Sequence, residues 1–152
     1  MSSRLLLAVD GSTYSRAAAD DVIARVRTED VEVHVLHVVD LAALGPPAHD
    51  FARGPDYGPD VMSHVAHGRE AAEALVQDTA NRLKAVGFRA VTAVRDGDPR
   101  HVILDYAAEL GCDWIVMGSH GRRGLERLLM GSVSEAVARH AHCSVHIVRV
   151  RR

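Results

Sequence analysis

The chain has 152 residues, a length that usually folds around one hydrophobic core. Its composition, 47% hydrophobic and 25% charged, is typical of a folded globular domain and excludes a disordered or membrane-embedded chain. The formal net charge of −2 leaves no basic excess for a phosphate backbone, so we expect no nucleic-acid partner.

Short apolar runs and few cysteines limit the cellular setting. The apolar run Leu5–Val9 is too short to cross a membrane or to form the core of a signal peptide. Cys112 and Cys143 cannot form a disulfide framework, and no CxxC pattern suggests a structural metal. We therefore expect a cytoplasmic protein without a membrane partner, whose two cysteines are buried free thiols that could be neighbours.

Apolar runs and helical periodicities alternate along the whole chain. The strands predicted from the apolar runs are, in chain order, residues 5–9, 31–39, 88–94, 113–117 and 144–150. The helices predicted between them are residues 12–27, 61–86, 99–110 and 132–140. Continuous apolar strands are typical of a parallel sheet covered on both faces. We therefore expect one Rossmann-like α/β domain over residues 1–152, built on an open five-stranded parallel sheet, and we take 3-2-1-4-5 as its working strand order.

Punctuating residues set several of these boundaries. Pro99 suits the first turn of the third helix, Gly111 its end, and Ser132-Val-Ser-Glu135 matches a capping box at the start of the fourth. Residues 41–60 hold seven glycines and prolines and predict a long loop, whose segment 44–60 we interpret as flexible.

Two strand ends carry residues suited to binding a ligand. In open parallel sheets, ligands bind at the carboxyl ends of strands, beside the point where the strand order reverses. Asp10-Gly11-Ser12 follows the first predicted strand, and Gly118-Ser-His-Gly121 follows the fourth. With strand order 3-2-1-4-5 these ends face each other. Asp10 is then a candidate ligand-binding residue; the alternative is that it only caps the first helix or orders the turn.

The stretch from Gly118 to Ser132 favours an anion. Its glycines permit positive φ angles or close approach of backbone amides, and it carries three arginines against one glutamate. Gly131-Ser132 precedes a predicted helix, whose first amides and dipole attract negative charge. A triphosphate would fit this pattern. A solvated loop with glycines at its turns is the alternative.

Three familiar kinds of phosphate site are excluded or disfavoured. A Walker loop needs GxxxxGK, but Lys84 is the only lysine and lies within a predicted helix. A dinucleotide fingerprint would place GxGxxG after the first strand, where Asp10-Gly11-Ser12 stands. A receiver domain has similar alternation, but it depends on a lysine after its last strand.

Several motifs together resemble one family. They are Leu7-Ala-Val-Asp-Gly-Ser12, His37-Val38, Gly97-Asp-Pro99, Ile115-Val-Met-Gly-Ser-His-Gly121, Gly118-x2-Gly121-x9-Gly131-Ser132 and Cys143-Ser-Val-His-Ile-Val148. The set resembles the universal stress proteins over essentially the whole chain. The long glycine spacing resembles the ATP-binding subset of that family. Ser144 departs from the pattern, because the family usually has proline there.

The resemblance implies an ATP site, with AMP or ADP as alternative ligands and Mg²⁺ bound through the phosphates. It implies contacts to adenine and ribose from Ala8, Val9, Asp10, Val38, Met117 and Gly118. It implies phosphate contacts from Gly121, Arg122, Gly131, Ser132, Val133 and Ser134. Ser12 and His120 complete the predicted nucleotide-binding set. Apart from Asp10, we expect no metal ligand from the protein and no catalytic residue.

The resemblance further implies a regulatory ATP-binding module of the stress response, which forms a homodimer through its last strand, residues 145–150. Neither paired carboxylates nor a Ser/His/Asp arrangement supplies a general base, so ATP hydrolysis should be slow or absent. One alternative is a Mg²⁺-dependent ATPase or nucleotidyl-transfer enzyme of the same superfamily, with Asp10 in a catalytic role. Another is an interaction protein that binds no nucleotide.

Overall fold

The computed structural model of the protein describes residues 2–44, 59–122 and 130–150. Its five strands form one parallel sheet in the order β3-β2-β1-β4-β5, which confirms the predicted fold class. The strands are β1 Ser3–Ala8, β2 Val31–Val39, β3 Arg89–Asp96, β4 Trp114–Gly118 and β5 Ser144–Val148. The helices are α1 Thr13–Arg25, α2 Leu41–Leu44, α3 Pro59–Ala85, α4 Pro99–Leu110 and α5 Ser132–His140. A 3₁₀ turn, Thr28–Asp30, precedes β2.

The predicted bounds of β2 and α4 are confirmed, while the predicted loop over residues 41–60 is wrong at both of its ends. Leu41–Leu44 is helical because the Asp40 carboxylate accepts hydrogen bonds from the amides of Ala42 (3.1 Å) and Ala43 (3.3 Å). The helix α3 begins at Pro59, where the fixed φ of proline suits a first helical residue. Most of the segment predicted to be flexible, residues 45–58, lies outside the described residues.

Alternate residues of β1 build two separate cores, one on each face of the sheet. Leu5 and Leu7 pack with apolar residues of α1 and α3, whereas Leu6 packs with those of α4 and α5. All three leucines are fully buried. Burying such a side chain contributes about 1.5–3 kcal/mol, so the helices are held to both faces mainly through β1.

The order of the strands places β1 at the switch point. It lies between β2 and β4, with Leu5 opposite both Val33 and Trp114. After β1 the chain forms β2 and β3 on one side of this strand, and it then forms β4 and β5 on the other side. A crevice therefore opens beyond the carboxyl ends of β1 and β4.

The apolar runs of the sequence form the buried strands of the sheet. In the part of the chain that the structure describes, no helix combines the length and apolarity that crossing a bilayer requires.

Candidate functional site

A cleft of about 1030 Å³ lies at this carboxyl edge of the sheet. The ends of β1, β2 and β4, the segment after β4 and the first residues of α4 and α5 form its walls. All the predicted site residues line this cleft except Ser12. The two strand ends that the sequence singled out therefore do face each other.

Ser12 serves the helix rather than the cleft. Its hydroxyl accepts a hydrogen bond from the amide of Ser15 at 3.1 Å and thereby caps α1. The residue lines a separate pocket of about 220 Å³ between α1 and α3. Ser12 therefore does not line the cleft with the other predicted binding residues, although its amide contacts Asp10.

Asp10 joins the two segments that flank the crevice. One carboxylate oxygen accepts from the amide of Ser12 at 2.9 Å, and the other accepts from the amide of Arg122 at 3.1 Å. Gly11, with φ of +80°, allows the turn between Asp10 and Ser12. The Arg122 guanidinium occupies the space where a Cβ of Gly11 would be. Asp10 therefore orders its own turn and also holds the start of the glycine-rich segment.

The described glycines of this segment matter for packing. The expectation of positive φ angles is wrong for Gly118, Gly121 and Gly131. A Cβ on Gly118 would lie 2.6 Å from the carbonyl carbon of Tyr14, and one on Gly121 would lie 2.8 Å from an Asp10 oxygen. The absence of side chains lets β4 approach α1 and lets Asp10 reach its hydrogen-bond donors.

The start of α5 differs from the predicted capping box. Ser132 is the first helical residue, and the N-cap is Gly131, which has no side chain to bond the helix amides. The Ser134 hydroxyl donates to the carbonyls of Ser119 (2.8 Å) and Gly131 (3.0 Å). The prediction of Ser132 as the cap is therefore wrong, because the serine hydroxyl that could have capped the helix turns back to the loop.

Three backbone amides at the start of α5 have no acceptor in the part of the chain that the structure describes. The Gly131 amide donates to the Ser119 carbonyl at 2.7 Å, and the first amide bonded within the helix is that of Glu135. Between them, the amides of Ser132, Val133 and Ser134 have no acceptor among the described residues. All three residues line the cleft. The start of α5 therefore presents N–H donors and the positive end of a helix dipole.

His120 is held by its neighbours. Its Nδ1 lies 3.0 Å from the Ser119 hydroxyl, and its ring centroid lies 5.0 Å from that of Tyr14. The side chain is half-buried and lines the cleft between β4 and α5. These contacts suit a residue that shapes the loop.

The opposite wall of the cleft was largely missed by sequence reasoning. It contains His37, Asp40, Asp98 and Arg100, from β2 and the start of α4. His37 ties β2 to β1, because its Nδ1 lies 2.7 Å from the Val9 carbonyl oxygen. The available signal was topological: these residues also stand at carboxyl ends of strands, and parallel strands end at one edge.

Asp98 and Arg100 form a compact ion pair at the entrance of α4. Asp98 is the N-cap and accepts from the Arg100 amide at 2.9 Å and from its guanidinium at 2.6 Å. The hydrogen bonds from the Arg100 side chain, followed by that from its amide, lower the pKa of Asp98 to about 2. This carboxylate is therefore charged at ordinary pH, and the Arg100 guanidinium, which also lines the cleft, balances its charge.

Charge thus divides the cleft. Arg122 and the start of α5 lie on one side, and Asp40 and Asp98 lie on the other. Arg123 and Arg127, which contribute to the predicted positive charge, lie outside the described residues. Across residues 2–44, 59–122 and 130–150, no group of three or more His, Cys, Asp or Glu side chains could hold a metal ion.

Comparison with known proteins identifies the family of this chain. The model of the universal stress protein family matches residues 1–149. The chain belongs to the universal stress protein family. It is 31% identical to the universal stress protein MJ0531 of Methanocaldococcus jannaschii over 147 residues, covering 96% of this chain and 81% of that protein. It is also 31% identical to the universal stress protein YxiE of Bacillus subtilis over 151 residues, covering 98% of this chain and 100% of that protein.

Solved universal stress protein structures share the architecture of this one. Hypothetical protein MJ0577 superimposes with a TM-score of 0.83 at 26% identity, covering 100% of this chain and 99% of that one. A universal stress protein family member from Arabidopsis thaliana with AMP bound gives 0.66 at 20% identity, covering 98% and 92% of the two chains. A universal stress protein in complex with cAMP gives 0.69 at 20% identity and covers 97% of each. The last two likenesses show a common fold.

Proposed function

We propose that this universal stress protein binds ATP in the cleft and acts as a regulatory module whose state depends on nucleotide occupancy. The observation that carries the proposal is the start of α5, where the amides of Ser132, Val133 and Ser134 lack acceptors and line the cleft. Phosphate oxygens are the groups that such a helix terminus binds best, since N–H donors and the helix dipole act together. Gly121 and Arg122, on the neighbouring segment, complete the phosphate end of the proposed site.

The proposed adenosine end is apolar. Ala8, Val38 and Met117 are buried and form cleft wall at the ends of β1, β2 and β4. A purine ring needs such a wall, with a few polar groups to fix its orientation. Asp10, between the apolar wall and the start of α5, is the residue proposed near the ribose.

The size of the cleft also supports a nucleotide. At about 1030 Å³ it is at the upper end of the ~300–1,000 Å³ usual for small-molecule sites. The universal stress proteins solved with AMP and with cAMP show that the family fold holds adenine nucleotides in those two proteins.

Mg²⁺ is proposed to accompany the phosphates. Magnesium usually keeps several waters and is held by one or two carboxylates together with the phosphates of the substrate. Asp10 is the carboxylate on the phosphate side of the cleft, and both its oxygens already accept backbone hydrogen bonds. The phosphates of the nucleotide would therefore supply most of the ligands of Mg²⁺ other than water, and Asp10 would add one ligand at most.

Hydrolysis is proposed to be slow or absent. A general base must be able to accept a proton from the attacking water. Both oxygens of the Asp10 carboxylate accept hydrogen bonds from backbone amides, and the His120 Nδ1 lies 3.0 Å from the Ser119 hydroxyl. The sequence predicts neither paired carboxylates nor a Ser/His/Asp arrangement that would activate either residue, so binding without turnover is proposed over an ATPase or a nucleotidyl transferase.

A homodimer through the last strand is the proposed assembly of this cytoplasmic stress-response module. The strand β5 is at the edge of the sheet, paired with β4 on one side. Natural proteins tend to cover or pair such an edge, because its free backbone groups invite association. Residues 145–150 supply the proposed contact.

Isothermal titration calorimetry of the full-length protein with ATP, with and without Mg²⁺, tests the proposal. We expect one ATP bound per chain and, in a parallel assay, less than one ADP released per chain over hours. Sustained ADP or AMP release would favour the enzyme, and the absence of binding to ATP, ADP or AMP would favour an interaction protein without nucleotide.

A further inference from the structure

The only two cysteines of the chain meet at the edge of the sheet opposite the cleft. Cys112 and Cys143 are separated by 31 positions, and their Sγ atoms lie 3.6 Å apart. Both thiols are free. The expectation of neighbouring free thiols is confirmed. A disulfide bond is about 2.05 Å long, so the sulfurs are about 1.6 Å from bonding distance.

The backbone places both cysteines beside paired strands. The Cys112 amide donates to the Ala107 carbonyl at 3.1 Å, in the turn that ends α4. Cys143 immediately precedes Ser144, which is the register partner of Trp114 across β4 and β5. The two residues therefore stand just before the starts of two neighbouring paired strands, which keeps their sulfur atoms close together.

The two thiols differ in accessibility. Cys112 is buried among the apolar residues between the sheet, α4 and α5, whereas Cys143 is half-buried at the margin of that cluster. Burial raises the pKa of the Cys112 thiol to about 12, with the hydrogen bond to Cys143 as the second cause. Because Cys143 is the more exposed of the two thiols, it is the one that an oxidant from solvent reaches first.

We propose that Cys112 and Cys143 are a redox modification site, which a hydroperoxide converts to a reversible disulfide bond within the chain. The Cys143 thiolate attacks the peroxide oxygen, breaking the O–O bond, and becomes a sulfenic acid with release of water or alcohol. The Cys112 sulfur then attacks the sulfenic sulfur, forming the S–S bond and releasing water. The two thiols together lose two electrons and two protons, and the peroxide takes up both. A dithiol reductant restores the thiols by exchange.

The disulfide would staple the half of the fold that carries the proposed phosphate site. The loop that it closes contains β4, the glycine-rich segment and α5. Closing a loop of this length restricts the unfolded chain and raises the melting temperature by about 5–10 °C. The bond lies at the amino ends of β4 and β5, so it stabilises the fold without occupying the cleft.

Treatment of the full-length protein with hydrogen peroxide at neutral pH tests the proposal. We expect the free thiols, counted after denaturation, to fall from two to none, with the loss of two hydrogen atoms from the intact mass. The product should run as a single chain on a non-reducing gel and recover both thiols with dithiothreitol. Retention of both thiols, oxidation to sulfinic acid without a disulfide, or disulfides only between chains would each overturn the proposal.

Melting temperatures supply the second readout, with Cys143→Ser as the matched control. Peroxide should raise the melting temperature of the wild type and leave that of Cys143→Ser unchanged. The serine hydroxyl is slightly smaller than the thiol and stands at a half-buried position, so this variant should fold. An equal rise in both proteins, or no rise in the wild type after disulfide formation, would contradict the staple.

Discussion

The starts of α1 and α5 stand at the same edge of the sheet and treat their first amides in opposite ways. At α1, the Ser12 hydroxyl accepts from the Ser15 amide, so the protein satisfies its own helix terminus. At α5, the N-cap is Gly131, and the nearby Ser134 hydroxyl donates to loop carbonyls. The amides of Ser132, Val133 and Ser134 consequently have no acceptor among the described residues, and these residues line the cleft.

The entrance of α4 resembles that of α1 rather than that of α5. Asp98 caps α4 with a carboxylate, so this terminus too is closed by the chain itself. Self-capping contributes typically about 1 kcal/mol to stability. The protein forgoes that gain at α5, where the amides remain available to an anion.

The largest expected effect is on stability and comes from adding a side chain where β4 packs against the start of α1. In Gly118→Ala the new Cβ would lie 2.6–2.8 Å from backbone atoms of Tyr14, in the first turn of α1. We expect a loss of about 3 kcal/mol in the free energy of unfolding, measured by urea denaturation. Adding Tyr14→Ala should not rescue the variant, because the clashing carbonyl group remains. A loss below about 0.5 kcal/mol would show that α1 can move away from β4.

Closing the open terminus should abolish nucleotide binding. In Gly131→Asp a carboxylate at the N-cap can accept from the amides of α5 and repel phosphate, so we expect ATP affinity to fall at least about 100-fold. Calorimetry measures the change, and circular dichroism should show an intact fold. Gly131→Ala is the matched control.

That control adds a Cβ without a charge. The new atom would lie 3.2 Å from the His120 Cα and 3.3 Å from the Ser119 carbonyl oxygen, so the loop must shift by a few tenths of an ångström. We expect it to keep ATP affinity within about tenfold of the wild type, since no new group satisfies the amides. If the alanine and aspartate variants weaken binding equally, loop packing rather than the open amides accounts for the effect.

Opening the closed terminus should affect stability but not binding. Ser12→Ala removes the cap of α1 and should lower the free energy of unfolding by about 1 kcal/mol, whereas Ser12→Asn should retain most of it. ATP affinity should be unchanged in both, because Ser12 does not line the cleft. A tenfold weaker affinity in Ser12→Ala would restore Ser12 to the nucleotide-binding residues.

The smallest expected effect is on the pH dependence of the free energy of unfolding. It distinguishes the charged cap of α4 from the neutral cap of α1. The Asp98 pKa of about 2 lies below its unfolded value near 3.8, so its stabilisation is complete above about pH 4 and is lost as the pH falls toward 2. Asp98 is half-buried and its partner Arg100 is exposed, so solvent screening limits the effect to about 0.5 kcal/mol. Acid unfolding curves of Asp98→Asn should lack this part of the pH dependence, while those of Ser12→Asn should keep it.

Local patterns were enough to predict the elements and their arrangement. Pro99 and Gly111 bound α4 as expected, and Ser12 caps α1. These features depend on neighbours in sequence, which is why the sequence shows them. The same holds for the parallel sheet, because continuous apolar strands separated by helices leave few other arrangements.

The site was predictable only on one side. The glycine spacing after β4 correctly pointed to the cleft, since most of the residues it singled out line it. His37, Asp98 and Arg100 were not named as site residues, although the first two stand in motifs of the family. The meeting of strand ends is what brings these three residues to one cleft. Gly118 carries no sign in the sequence that Tyr14 will pack against it.

The sequence by itself thus determined the strands, the helices, their order and the family, because periodicity, turn residues and motif spacing are properties of short segments. Tertiary structure alone decided which helix start stays uncapped and how closely Cys112 and Cys143 approach. The reason is physical: a hydroxyl such as that of Ser134 has both local and distant partners available. Packing between remote segments selects among them.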